Sequence, residues 1–256
     1  MLSTIERRQE IINLAHEEGK VEVEKLALLF TVSTVTIRGD LNYLHKRNLL
    51  VRSHGGAISV KNLSPELSIT EKHDKNHAAK VAIGKAAANM INSGESIILD
   101  SGTTTLEIAK HLHDKNELVV MTNGLNIATE LSKYESIDVI VTGGSLRKKS
   151  LSFYGRHAED GLNNYHFDKL FLGVDGLDLI KGITTHFEPE AHLNRKMCEC
   201  SSEVIAITDS SKFNKYGYHM IRRLTGIDAL ITDDKIPESY AKAFEDSGIK
   251  LYIVNV

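Results

Sequence analysis

Residues 32–57 read VSTVTIRGDLNYLHKRNLLVRSHGGA. Ser33 is a good helix N-cap, because its short side chain can accept a hydrogen bond from a first-turn N–H. The spacing then predicts a helix over 34–46. Ile37, Leu41 and Leu44 follow i, i+4, i+7 and form its buried stripe. Val35, Arg38, Gly39, Asn42 and Lys46 fall on or near the opposite face, with Thr34 and Thr36 in the first turn. Two short β-prone runs, 49–52 and 57–60, bracket Ser53-His54-Gly55-Gly56 and read as a hairpin.

Upstream, apolar residues at Ile5, Ile11, Ile12, Leu14 and Ala15 predict a helix over 4–17, with Gly19 as its stop. A second helix is expected over 23–30, with Leu26, Leu29 and Phe30 apolar, before a turn at Thr31-Val32. Residues 1–60 thus read as a winged helix–turn–helix. Residues 1–61 hold nine Lys/Arg and seven Asp/Glu, so the rest of a chain with net charge −3 carries −5. Over 38–61, Arg38, Lys46, Arg47, Arg52 and Lys61 face only Asp40. A basic excess on a helix and hairpin is an electrostatic footprint for phosphates. DNA is the expected partner. Ser33, Thr34, Val35, Thr36, Arg38 and Asn42 are the expected readers, since recognition helices present their N-terminal residues to base edges. Lys46 and Arg47 are suited to phosphates, and Arg52 and His54 are the contacts expected of the wing.

The bulk composition excludes other classes. Of 256 residues, 41% are hydrophobic and 25% charged, as in ordinary globular proteins. No apolar run approaches the roughly 20 residues of a membrane span, and the N-terminus lacks a signal-peptide core. Cys198 and Cys200 have one intervening residue, poor spacing for a disulfide or zinc site, which points to a reducing, cytoplasmic compartment. Cys200 continues the Leu193, Met197 stripe and is expected in the core, with Cys198 toward the other side. His186, Glu188, Glu190 and His192 could be imagined around a metal, but an acid-rich helix N-terminus accounts for them better. No metal or cofactor is expected.

Residues 61–75, KNLSPELSITEKHDK, are polar, contain Pro65 and lack periodicity; they read as a linker. Residues 76–256 form the second domain. After an Ala-rich helix over 77–91, strands are expected at 96–99, 118–121, 139–142, 170–173, 204–208, 229–232 and 251–254, with helices between, the first two over 105–112 and 125–132. This βαβ rhythm predicts an α/β domain on a mainly parallel sheet. Ligands of such sheets sit at the carboxyl ends of strands. Asp100, Ser101, Gly102, Thr103, Thr104 and Thr105 follow the first strand, and Thr122, Asn123 and Gly124 the second. Gly143, Gly144 and Arg147 follow the third, Asp175 and Gly176 the fourth, and Lys212 the fifth. Hydroxyls, glycines, cations and a helix N-terminus suit a phosphate, and the two aspartates can accept sugar hydroxyls. A small phosphorylated polyol fits this chemistry.

The pattern LAxxFxVSxxTIRxDLxxLxxxxLLxRxHGGA, over 26–57, resembles the N-terminal signature of the DeoR family of bacterial transcriptional regulators. SGTTT, TNG, TGG, GVDG and DSSKF resemble motifs of that family's sensor domain. The resemblance implies a C-terminal domain similar in fold to ribose-5-phosphate isomerase and glucosamine-6-phosphate deaminase. It also implies a repressor released from operator DNA by a sugar phosphate, working as a homo-oligomer (dimer or tetramer). Within the family, DSGTTTLEIA, SFYG and THFEPEAHLNRKMCE resemble regulators of amino-sugar use. Gly39 stands where the family has a polar or basic side chain, and Asn48 where it has glycine. The alternative is a sugar-phosphate isomerase or deaminase-like enzyme with an appended DNA domain, for which Asp100, Asp175 or Glu188 would be the base. An enzyme has no need of a DNA reader, so no catalytic residues are expected.

Overall fold

The structure, a computed structural model, describes residues 2–47, 49–53, 55–59 and 66–256. It divides into two compact units, 1–64 and 65–256. The first is built from α1 (Thr4–Glu18), β1 (Lys20–Glu22), α2 (Val23–Phe30), α3 (Thr34–Lys46), β2 (Leu50–Ser53) and β3 (Gly56–Ser59). Ser3 and Glu6 close a capping box on α1, and Gly19 ends it in the left-handed conformation at φ 76°. The hairpin expected at 49–60 is the β2–β3 pair, and β1 adds a third strand, giving the antiparallel order β1-β3-β2. Gly56 makes that third strand possible: a Cβ there would lie 2.0 Å from the Val21 carbonyl oxygen.

Ile11, Ala15, Leu26, Ile37, Leu41, Leu44, Leu50 and Ala57 form the core of this unit. Two expected stripe residues do not join it. Ile5 is 81% exposed and Leu29 60% exposed. The buried face of α1 runs instead through Arg7, Ile11 and Ala15, because Arg7 turns inward to meet Asp40. Arg7 Nε and Arg8 Nε each lie 2.7 Å from an Asp40 carboxylate oxygen.

The second unit contains α4 (Ile69–Asp74), α5 (His77–Asn89), β4 (Ser96–Leu99), α6 (Thr103–Lys110), β5 (Leu118–Thr122), α7 (Leu125–Leu131), β6 (Ile137–Val141), β7 (Ser145–Arg147), β8 (Ser152–Tyr154), α8 (Arg156–Gly161), β9 (Phe167–Gly173), β10 (Gly176–Asp178), β11 (Gly182–Thr185), α9 (Glu188–Glu199), β12 (Ser201–Ile207), β13 (His219–Arg222), β14 (Ala229–Asp233), α10 (Glu238–Asp246) and β15 (Lys250–Val254). Seven strands make one parallel sheet in the order β15-β14-β12-β9-β4-β5-β6. Successive residues feed opposite cores. Leu170, Leu172, Val204 and Leu230 pack with Leu193, Met197 and Phe244 on one face. Ile97, Leu99, Phe171, Ile205 and Ile231 pack with Ile83, Ile108 and Ile127 on the other. Burial on both faces explains why these strands read as continuous apolar runs. The chain order reverses between β4 and β9, so the carboxyl ends of these two strands border the topological switch point, where such sheets hold ligands.

Three expectations need correction. The stretch read as a linker carries α4, capped by a Ser68–Glu71 box, and residues 66–75 fall in the second unit. A helix of six residues is too short to show a period. The helix expected at 105 begins at Thr103, so the three threonines form its first turn. Cys198 is the buried cysteine, at 3% exposure, whereas Cys200 is only partly buried. Cys200 is the C-cap of α9, so the helical stripe does not extend to it. Burial pushes the Cys198 thiol up to about 12, an inert packing residue.

Candidate functional site

On α3 the caps and faces fall as the spacing predicts. Ser33 Oγ accepts from Thr36 N at 3.1 Å, and Ile37, Leu41 and Leu44 are buried. Val35, Arg38, Gly39, Asn42 and Lys46 are exposed, and Thr34 and Thr36 are half-buried. Asp40 is 2% exposed and neutralised by Arg7 and Arg8, so its charge does not oppose the basic face. The Arg8 and Arg47 guanidinium carbons lie 3.7 and 4.4 Å from the Tyr43 ring centroid, which braces both cations near the end of α3. Arg52 Nη1 donates to the Gly56 carbonyl at 2.8 Å, stiffening the hairpin while its other donors remain. His54 and Asn48 lie outside the described residues.

At the switch point of the second unit, Asp100 ends β4 and is 4% exposed. Its oxygens accept from Ser101 N at 2.8 Å and Gly173 N at 3.2 Å, so it ties the β4 and β9 ends together. Burial, and then the Glu190 carboxylate, push its carboxyl up to about 7 against hydrogen bonds from Asn194, Ser101 and Asn123. Asn123 Oδ1 accepts from Ser101 N at 2.7 Å, and Asn126 Nδ2 donates to the Gly102 carbonyl at 3.3 Å. Thr103, Thr104 and Thr105 open α6 with no side-chain cap bond, leaving its first N–H groups available. Thr105 Oγ1 and Asn126 Oδ1 are buried polar atoms without a hydrogen-bond partner among the described residues.

The other half is a network of ion pairs. Lys72 Nζ lies 2.5 Å from Asp175 Oδ1, and Thr185 Oγ1 donates to the other oxygen at 3.2 Å. Burial alone would raise the Asp175 carboxyl; Lys72, with Lys212 and His186, overcomes it and holds it down at about 2. Burial lowers the Lys212 ammonium, opposed by Asp175 and Asp209. Arg147 Nη2 lies 2.5 Å from Glu66 and Nη1 3.7 Å from Glu190, with its guanidinium 4.3 Å from the Phe187 ring. Glu190, 8% exposed, also accepts from Ser150 Oγ at 2.7 Å and Ser152 Oγ at 2.6 Å.

The structure therefore sorts the expected effector residues. Asp100, Ser101, Gly102, the three threonines and Asn123 converge at the switch point, and Asp175 and Lys212 share one electrostatic cluster. Thr122 is absorbed by the fold: its hydroxyl donates to the Leu99 carbonyl at 2.7 Å and accepts from Gly124 N at 3.0 Å. Gly144 and Gly176 are packing glycines, whose Cβ atoms would lie 2.5 Å from the Tyr154 carbonyl oxygen and 2.7 Å from Tyr216 Cα. Gly124 is tight against Ile127 and Ser101, whereas Gly143 borders open space. Arg147 is held by carboxylates and by Phe187.

Sequence reasoning missed Lys72 and the strap that carries it. Ile69 N donates to the Lys149 carbonyl at 2.8 Å, Lys149 Nζ meets Glu66 at 3.1 Å, and Asn76 Nδ2 donates to Asp209 at 2.7 Å. Residues 66–76 thus cross from β7–β8 to the ends of β9 and β12. Charges at Glu66 and Lys72 in a polar stretch were the signal available. It could not be told from ordinary solvated polarity. Glu190 and Asn194 were likewise hidden within an acid-rich helix start.

A basic helix–hairpin unit coupled in one chain to an α/β unit with a polar switch point defines a ligand-responsive DNA-binding regulator. Residues 7–62 match the DeoR-like helix-turn-helix domain, and residues 75–234 the DeoR C terminal sensor domain. The chain belongs to the DeoR family of transcriptional regulators. It is similar to a protein of Escherichia coli O157:H7 provisionally named as the aga operon transcriptional repressor, with 45% identity over 98% of this chain and 94% of that one. It is 40% identical to the uncharacterized HTH-type transcriptional regulator YulB of Bacillus subtilis, over 97% of this chain and 96% of the other. The transcriptional repressor AccR of Agrobacterium fabrum is 35% identical over 94% of this chain and 97% of its own. Among solved structures, a ribose 5-phosphate isomerase A from Methanocaldococcus jannaschii is similar over 54% of this chain and 55% of its own, at 16% identity and a TM-score of 0.40. The chain is a regulator and not an enzyme, as are the relatives so named. No helix among the described residues is long and apolar enough to cross a membrane.

Proposed function

We propose that this protein is a cytoplasmic repressor of a carbohydrate-utilisation operon, released from its operator by a phosphorylated amino sugar. One observation carries the reading. At the β4–β9 switch point an uncapped helix start follows the buried Asp100 carboxylate, Lys72 and Lys212 face the half-buried Asp175, and Lys72 lies on the strap that leads back in sequence to the DNA reader. The α6 N-terminus supplies N–H donors and a favourable dipole for a phosphate. Lys212 and Lys72 supply charge, and Asp175 is suited to accept a sugar hydroxyl. Asp100 retains a proton up to about pH 7 and so adds little repulsion toward an anion. The relative provisionally named for the aga operon supports N-acetylgalactosamine utilisation as the pathway served.

The mechanism follows from competition. A phosphate that draws Lys72 from Asp175 changes what holds the strap, the segment that joins the DNA reader to the sensor in sequence. Operator half-sites call for symmetric readers, so the working form is a homo-oligomer. A hundredfold loss of operator affinity requires about 2.7 kcal/mol of coupling, within the range of allosteric systems. The test is operator binding titrated with phosphorylated amino sugars, pentose phosphates, unphosphorylated sugars and inorganic phosphate. A phosphorylated amino sugar should release the operator at the lowest concentration. Thr104→Asp, which places a negative charge in the half-buried first turn of α6, should bind operator normally and respond at least tenfold more weakly. Release by an unphosphorylated sugar alone, or an unchanged response of Thr104→Asp, would refute the proposed site.

A further inference from the structure

His73 and His77 have the spacing of a metal-binding pair, and the fold brings a third ligand to them. One ring nitrogen of each and one carboxylate oxygen of Glu107 all lie within 4.8 Å of one another. Three helices contribute: His73 sits near the end of α4, His77 opens α5, and Glu107 lies within α6. Asn76, between the helices, adopts the left-handed conformation at φ 52°. That turn stacks the two imidazoles with ring centroids 5.4 Å apart. Asparagine is among the few residues that enter this region at small cost. Glu107 is 3% exposed, and its backbone is set by close helix packing: a Cβ on Gly84 would lie 2.5 Å from Glu107 Cβ. The buried carboxylate is therefore fixed, while the two imidazoles are exposed.

We infer that His73, His77 and Glu107 form a binding site for a divalent transition-metal ion of the zinc type. Two imidazoles and one carboxylate are a recurrent three-ligand set for zinc with an open fourth position, whereas magnesium and calcium favour all-oxygen sites. Bonds of about 2.0–2.2 Å place tetrahedral ligand atoms roughly 3.3 Å apart, a closure within reach of the exposed imidazoles. His73 Nδ1 lies 3.1 Å from Asp74 Oδ1, the outer-shell carboxylate that ligating histidines commonly have. Lys110 Nζ now lies 2.8 Å from Glu107 Oε1; its side chain is 36% exposed and can move into water as the ion enters. A bound ion fastens α4, which carries Lys72, to α6, whose first turn opens the switch-point loop. It makes the strap harder to displace.

The test uses the full-length, tag-free chain, stripped with chelator and titrated calorimetrically with Zn²⁺ at near-neutral pH, with Co²⁺ absorption as the second readout. The expected result is one tight ion per chain and a four- or five-coordinate Co²⁺ spectrum. His73→Gln and His77→Gln change exposed side chains, so folding is not at stake, and each should weaken that ion at least tenfold. Glu107→Gln should do the same, with circular dichroism reporting that it has folded. His192→Gln, beside Glu188, should leave binding unchanged. Absence of a stoichiometric ion in the parent chain, or equal affinity in both His73→Gln and His77→Gln, overturns the assignment. So does loss of the ion in His192→Gln alone. None of these readouts depends on effector or operator, so they fail separately from the function proposed above.

Discussion

At the residue scale, Gly39 and Asp100 show opposite kinds of constraint. Gly39 is exposed in mid-helix, and a Cβ there would meet nothing within 4 Å. No packing requires glycine, so Gly39→Ala should stabilise the protein by about 1 kcal/mol in denaturant unfolding. Loss of stability instead would mean that α3 bends at this residue. Asp100 is fixed by burial and by Glu190. Its folded carboxyl titrates at about 7 and its unfolded one near 4, so the folded state holds a proton the unfolded chain has released. Its contribution to stability is therefore full below about pH 4 and falls as pH rises toward 7, by at most about 1.4 kcal/mol per pH unit. Asp100→Asn should flatten the pH dependence of unfolding across that window. Parallel profiles for parent and variant would show that Asp100 is ionised throughout.

At the element scale, α3 is locked by charge as well as by its apolar stripe. Asp40 bonds Arg7 and Arg8 of α1, with Asp40 and Arg7 buried. Asp40→Ala would leave a buried guanidinium unpaired and should cost about 3 kcal/mol, measured on the intact chain. A loss below about 1 kcal/mol would indicate that Arg7 escapes to solvent. The aspartate of the quoted stretch thus ties α3 to α1. The strap 66–76 is the corresponding element of the second unit. Its grip comes from Glu66, Lys72 and Asn76, each pairing with residues at least 81 positions away.

At the scale of the whole molecule, the strap alters where the chain should be divided. A chain beginning at residue 66 keeps Glu66 and Lys72; one beginning at residue 76 loses both. The longer fragment should show the same thermal shift with phosphorylated sugar as the intact protein and no operator binding, whereas the shorter one should melt several degrees lower. Equal melting temperatures would mean that the strap contributes nothing to the second unit. Much of this architecture was legible in the residues themselves. The buried face of α3 follows from helical periodicity, and the hairpin and the seven parallel strands from short β-prone or continuous apolar runs, because strands buried on both faces need not alternate. Cap chemistry added Ser33, and strand ends added the Asp100–Thr105 loop. Pairings across sequence had no local signature. Arg7 with Asp40, Lys72 with Asp175, Asp100 with Glu190, and His73 and His77 with Glu107 each join residues brought near only by the packed fold. A lysine in a polar stretch reads alike whether it is solvated or gripping a half-buried carboxylate. Only the tertiary structure distinguishes the two, since burial and neighbouring charge set that energy and neither is a property of the residue alone.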